Sequence, residues 1–182
     1  HNLAQLYLLQ KRYQQAEHHL IQAKKLYREL LGDKHHTFIL ICNNLATLYK
    51  SQGRFEKAEH LYLQVLKQYK EEPFGNKHPS VATSLSNLAD LYLSLGRYKQ
   101  AESLYLQALE LGQELLRDQH PSISYSLNGL ALLYQAQGRD EKAEPLYVRA
   151  LKILAEELGS RHPTTVTVRN NFELFKRNRD KA

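Results

Sequence analysis

One turn recurs along this chain at an almost constant interval, and that recurrence limits the possible folds more than any other feature. Gly32-Asp33-Lys34-His35 returns as Gly75-Asn76-Lys77-His78, as Arg117-Asp118-Gln119-His120 and as Gly159-Ser160-Arg161-His162. The histidines are spaced by 43, 42 and 42 residues. Between them the same series repeats in phase: Asn44-Leu45-Ala46, Leu48-Tyr49, Gly53-Arg54-Phe55 and Ala58-Glu59, then Asn87-Leu88-Ala89, Leu91-Tyr92, Gly96-Arg97-Tyr98 and Ala101-Glu102. The fourth copy reads Gly129-Leu130-Ala131, Leu133-Tyr134, Gly138-Arg139 and Ala143-Glu144, and Asn2-Leu3-Ala4 opens a truncated first copy. Such a period marks a repeat architecture, in which each unit buries its apolar face only against its neighbours.

Each unit reads as two helices. In the third, the first runs near 79–95, with Pro79 at a position where its missing N–H is no loss. Leu85, Leu88, Ala89 and Tyr92 recur along one face, and Gly96 ends the helix as a residue tolerant of positive φ. The second runs over about 98–116 and buries Ala101, Leu104, Tyr105, Ala108 and Leu109. Small Ala89 and Ala101 allow close approach, and the tyrosines fill the space beside them. The expected fold class is all-α, a right-handed α-solenoid of antiparallel helix hairpins. The 182 residues form a single array: 1–34 (repeat 1, incomplete at its start), 35–77, 78–119, 120–161, and 162–182 as the leading helix of repeat 5.

Composition sets the function classes. Apolar residues make up 42% and charged residues 24%, ordinary for a folded domain, and no apolar run is long enough to span a bilayer. A lone cysteine, Cys42, excludes an internal disulfide and fits a reducing, cytoplasmic setting. The chain lacks Met and opens on His1, so it reads as a piece of something longer. Half of the net charge of +6 sits at the end, where Lys176, Arg177, Arg179 and Lys181 suit the negative pole of a helix dipole.

The pattern Leu85-x2-Leu88-Ala89-x2-Tyr92 followed by Ala101-x3-Tyr105 resembles the tetratricopeptide signature, with Leu in place of Trp and Ala in place of the small Gly. Against the usual period of about 34, the extra residues extend the second helix through Glu110–Leu116. Long units with Gly-Arg-Tyr-x-x-Ala-Glu-x-Leu-Tyr resemble the kinesin light chain type, which is also widespread in bacterial repeat proteins. The resemblance implies a protein-interaction scaffold without catalytic activity, whose first helices line a concave groove and whose second helices form the outer wall.

Removing the packing positions from the leading helices leaves a stripe for that groove: Leu40, Asn44, Thr47 and Ser51, then Thr83, Asn87, Asp90 and Ser94. Repeat 4 supplies Tyr125, Gly129, Leu132 and Ala136, and the last helix Thr167, Asn171 and Leu174. The peptide-binding residues expected are Asn44, Thr47, Thr83, Asn87, Asp90, Tyr125, Gly129, Leu132 and Asn171. Asn2, Asn44, Asn87 and Asn171 share one register, where an amide offers both a donor and an acceptor to a peptide backbone; the alternative is that each bonds a neighbouring helix. A Lys one turn before such an Asn is the mark of tetratricopeptide proteins that clamp a terminal carboxylate. Leu40, Thr83, Tyr125 and Thr167 stand there instead, which argues against that ligand. Gly129, between Tyr125 and Leu132, opens either an aromatic-edged pocket or a local packing adjustment.

Arg12, Arg54, Arg97 and Arg139 follow the turns, either as a solvated stripe on helix C-terminal dipoles or as a surface that steers an acidic partner segment. His35, His78, His120 and His162 lie one per repeat, too far apart for zinc, whose ligands converge at about 2 Å, and read as helix-start residues. Cys42 takes a packing position equivalent to Leu85 and Leu127. Pro145 interrupts a second helix and is expected to bend it.

No phosphate loop, nucleophile elbow or carboxylate pair appears, and no cofactor or metal is expected. The partner is a protein or peptide segment, without nucleic-acid binding or membrane insertion, since the stripe is mainly Asn, Thr, Ser and Leu rather than basic and aromatic. A second reading is a sensor or oligomerisation module of a larger bacterial signalling protein. Repeat 1 carries His19 and Lys24 at apolar positions, and Phe172 and Phe175 on the final helix are expected to lie partly open. Both ends should therefore fray first, and equal hydrogen-exchange protection in terminal and central repeats would contradict that.

Overall fold

A computed structural model of the chain describes residues 13–71, 78–116 and 118–180. The readings at Asn2-Leu3-Ala4, Arg12, Gly75-Asn76-Lys77, Arg117 and Lys181 lie outside them. Among the described residues there are eight helices and no strand: α1 (Tyr13–Leu31), α2 (His36–Ser51), α3 (Phe55–Lys70), α4 (Pro79–Ser94), α5 (Tyr98–Leu115), α6 (Pro121–Ala136), α7 (Asp140–Glu157) and α8 (Pro163–Arg179). The chain divides into two compact units, His1–Asn76 and Lys77–Ala182. In the first, α2 packs against α1 and α3. In the second, each helix packs on the next, and the leading helices α4, α6 and α8 also touch one another in succession.

Each leading helix opens on a histidine. The Nδ1 atoms of His35, His78, His120 and His162 accept the backbone N–H of Thr37, Ser80, Ser122 and Thr164 at 3.2, 3.1, 3.2 and 3.3 Å. Imidazole thus takes the place of the usual Ser, Asp or Asn, satisfying one of the donors orphaned at a helix start. In α4, α6 and α8 a proline follows in the first turn. The recurrent histidine is a cap.

The exit is equally regular. At the end of α4 the Arg97 N–H reaches back to the Tyr92 carbonyl at 2.8 Å and the Gly96 N–H to the Leu93 carbonyl at 3.0 Å. This is a Schellman closure, and Gly96 at φ +70° supplies the left-handed residue it needs. The junction is only three residues long, so α5 must return antiparallel to α4. The same bonds close α2 onto α3 and α6 onto α7.

The arginine after each glycine then folds over the ring it has just passed. Arg54, Arg97 and Arg139 lie 4.1, 4.0 and 4.4 Å from the ring centroids of Tyr49, Tyr92 and Tyr134. Arg54 also contacts both carboxylate oxygens of Glu17 at 2.7 Å, and Arg139 lies 3.5 Å from Glu102. Burial pushes the Glu17 carboxyl up, but the Arg54 and Gln52 hydrogen bonds and the Arg54 charge outweigh it and hold it below its usual value. The contribution of that pair is present at neutral pH and lost as acid protonates the carboxylate. These arginines are not a solvated stripe: the charge of Arg54 and Arg139 is taken up by the glutamate of the preceding Ala-Glu dipeptide.

Ala58, Ala89, Ala101, Ala131 and Ala143 are fully buried, as are Tyr62, Tyr105 and Tyr147 on the second helices. Leu104 and Leu109, expected inside, are half-buried, because the apolar stripe of α5 is narrower than its leucine content suggests. Phe175, expected open, is buried, its ring 5.6 Å from that of Tyr147 and 6.1 Å from Phe172. Pro145 lies exposed within α7 and does not end it.

If imidazole acts as a cap, His120→Ala should lower stability by about 0.5–2 kcal/mol, while His120→Asn recovers most of the loss. Chemical denaturation of the two variants separates a lost acceptor from lost packing, since equal losses would mean the ring acts through its bulk.

Candidate functional site

The stripe left over on the leading helices is shaped by the tyrosines beneath it. On α2, Thr47 Oγ1 donates to the Asn43 carbonyl at 3.1 Å and so accepts from the Tyr62 hydroxyl at 2.9 Å. On α4 the equivalent residue is Asp90, whose carboxylate accepts a hydrogen bond from the Tyr105 hydroxyl. Burial, then the charge and hydrogen bond of Asp90, push the Tyr105 phenol far above its usual value, so it stays a donor. On α6 that register holds Leu132, and the Tyr147 hydroxyl instead donates to Gln135 at 2.8 Å.

A cavity of about 320 Å³ opens between α4 and α6 above α5. Thr83, Asn87 and Asp90 form one wall, Ser122, Tyr125 and Asn128 the other, and Ala108 and Gly112 contribute the floor. At its base the buried hydroxyls of Ser86 and Ser126 meet at 2.9 Å, tying the two leading helices together. The Tyr125 ring stands at the rim, 56% exposed, with its hydroxyl 3.5 Å from Thr164 on α8.

The hollow has a cause in the sequence. Positions 108 and 112 are one turn apart on α5; their counterparts are Val65 and Tyr69 on α3, and Ala150 and Leu154 on α7. All four counterparts are buried side chains. Only the third repeat pairs Ala with Gly there, so volume that Tyr69 or Leu154 would occupy stays open.

Of the nine residues expected from the sequence, Thr83, Asn87, Asp90 and Tyr125 meet at this cavity. Asn44 and Thr47 are half-buried on α2, in the other unit, and Leu132 is half-buried on α6. Asn171 donates from Nδ2 to Asn128 Oδ1 at 3.1 Å, so its amide ties α8 to α6. Gly129 forms no pocket. It is buried, and a Cβ there would lie 2.3 Å from Cε1 of Tyr105. The missing side chain makes room for that ring, and the packing alternative is the correct one. Ala108, Gly112 and Ser122 were not expected at the site; the small pair at i and i+4 was the available signal.

Cys42 is fully buried, and burial pushes its thiol up to about 11 against a small opposing effect of Lys24. It is a packing residue, with little thiolate to react. Among the described residues no three His, Cys, Asp or Glu side chains gather as a metal site, and no helix is long and apolar enough to cross a membrane.

The tetratricopeptide repeat family model matches residues 1–71, 37–114, 80–156 and 122–173, nearly the whole length in overlapping registers. Among solved structures, the chain is similar to the Podosopora anserina kinesin light chain nearly identical TPR-like repeats, at TM-score 0.72 and 27% identity, covering 100% of this chain and 85% of that one. A point-substituted form of the same protein superposes at TM-score 0.74 and 26% identity with the same coverage. BtubC (BKLC) from P. vanneervenii gives TM-score 0.72 and 30% identity over 88% of this chain and 63% of its own. No match to a curated protein was found.

Restoring at Gly129 the asparagine of the other repeats should lower stability by about 1–3 kcal/mol through overpacking against Tyr105. A Gly129→Asn thermal midpoint equal to that of the parent would show that the ring moves aside freely.

Proposed function

As a member of the tetratricopeptide repeat family, of the kinesin light chain type, the chain is a protein–protein interaction scaffold, and we propose that it holds an extended or partly helical segment of its partner in the groove between its leading helices. The observation that carries this reading is the cavity between α4 and α6, where amides, hydroxyls and one exposed aromatic ring converge on a hollow. Contact of α4 with α6 and of α6 with α8 within the second unit supports it, since it places the leading helices side by side.

The chemistry suits a peptide. Polar side chains line both walls of the cavity, Thr83 and Ser122 among them, and such groups bond a peptide backbone without demanding particular side chains. Tyr125 is the kind of rigid, amphipathic residue that dominates interface energetics. With Arg54 and Arg139 committed to glutamates, an acidic partner segment has no support from the arginine series. No catalytic step is assigned.

The groove reading can be tested by selecting binders from a random peptide display library on the intact chain and measuring their affinities for variants. Tyr125→Ala should weaken binding by about thirtyfold, the scale of an interface hot spot, and Asn87→Ala by about two- to tenfold, the scale of one hydrogen bond. Selected peptides that bind both variants as tightly as the parent would place the interaction elsewhere.

A further inference from the structure

The hollow between α4 and α6 is floored by a glycine that the fold does not require. Gly112 is buried in the interior of α5, where glycine weakens a helix relative to alanine. Nothing crowds it. An added Cβ would meet Ile123 Cγ1 at 3.4 Å, an ordinary van der Waals distance, and no other atom of a neighbouring helix within 4 Å. Gly129 is the contrast, since a Cβ there would lie 2.3 Å from the Tyr105 ring. The counterparts of Gly112, Tyr69 and Leu154, are fully buried. The position accepts a large apolar side chain in the other repeats and goes without one here.

Three polar side chains of the lining are answered from within the chain. Asp90 accepts from the Tyr105 hydroxyl, Ser86 shares a hydrogen bond with Ser126, and Asn128 accepts from Asn171. Between them the surface is apolar, formed by Ala82, Ala108, Gly112 and Ile123. Such a surface gains most from a visitor that brings apolar area and asks for no new hydrogen bond.

From the missing side chain we infer that the hollow is a subsite for one large apolar side chain of the partner segment, leucine or phenylalanine, which takes the place that Leu154 holds in the next repeat. The inference rests on the groove reading above and deepens it. At about 320 Å³ the hollow is near the lower end of the roughly 300–1,000 Å³ range of ligand pockets, a size suited to one side chain rather than to a folded element. The Tyr125 ring at the rim, still largely exposed, adds apolar contact as that side chain enters.

The test uses the full chain and four pools of synthetic nonapeptides with randomised flanks and a fixed central Leu, Phe, Ala or Lys, titrated by fluorescence anisotropy. The Leu and Phe pools should bind about tenfold to a hundredfold more tightly than the Ala pool, the scale of burying one such side chain, with the Lys pool no tighter than Ala. Gly112→Leu, which copies Leu154, should abolish the Leu-over-Ala preference and leave Ala-pool binding unchanged. Gly112→Ala serves if that variant folds poorly. It should narrow the preference about threefold, the scale of one added methyl group, while raising the thermal midpoint, because α5 gains a better helix former.

Equal binding of the Leu and Ala pools by the parent, or a Lys pool that equals or exceeds the Leu pool, overturns the subsite. So does a preference that survives Gly112→Leu or is unchanged in Gly112→Ala. A lower midpoint for Gly112→Ala also overturns it, because the helix would then need its glycine. If the pools bind and Tyr125→Ala weakens them all without any apolar preference, the groove stands and only the subsite fails. If no pool binds, or Tyr125→Ala leaves every pool unchanged, the groove reading falls and the subsite with it.

Discussion

Everything in each hairpin depends on how sharply the chain reverses after its leading helix. A left-handed glycine, two backbone bonds to the last turn and an arginine laid over the preceding tyrosine together fix the exit of one helix and the entry of the next. The stacking is a cation–π contact of modest size, about 0.5–1 kcal/mol where exposed, and partly exposed ion pairs such as Arg54–Glu17 contribute about 0–1 kcal/mol. Their importance is geometric. They bury Ala89 and Ala101 and set Tyr105 beneath the leading helix, and the larger energy of apolar burial follows from that placement.

The same residues link one hairpin to the next. The Ala-Glu dipeptide contributes its alanine to the interior of its own hairpin and its glutamate to the arginine of the hairpin that follows, as Glu17 does for Arg54 and Glu102 for Arg139. Tyr134 completes the second of these sets by donating its hydroxyl to Glu102 at 2.8 Å. A brick that cannot bury its apolar face alone thus carries the means of registering its neighbour.

The repeats agree in their backbone and differ in a few buried side chains. The tyrosine of each second helix needs a hydrogen-bond partner once it is buried, and the three repeats answer with Thr47, Asp90 and Gln135. Each answer keeps the buried hydroxyl paired. Likewise, a buried position that can be Tyr69 or Leu154 becomes a hollow when it is Gly112. Gly129 is the opposite case, an apparent gap closed by the ring beside it.

The sequence alone determined the helical hairpin, its period, its termini and most of its interior, because these follow from local backbone preferences and from apolar spacing repeated in phase. The histidine turns, Gly96 and the Ala–Tyr pairs could all be read without coordinates. What only tertiary structure decided was the destination of each side chain that crosses between helices. Gly129 read as a pocket because the sequence does not say how far Tyr105 reaches. Asn171 read as a peptide contact although Asn128, 43 residues away, was within its span. Arg54 and Arg139 read as a solvated stripe because their glutamates lie a helix away. Spacing along the chain orders residues on a face, but whether the space above that face is empty depends on the length and rotamer of side chains from another helix, and no periodicity encodes that.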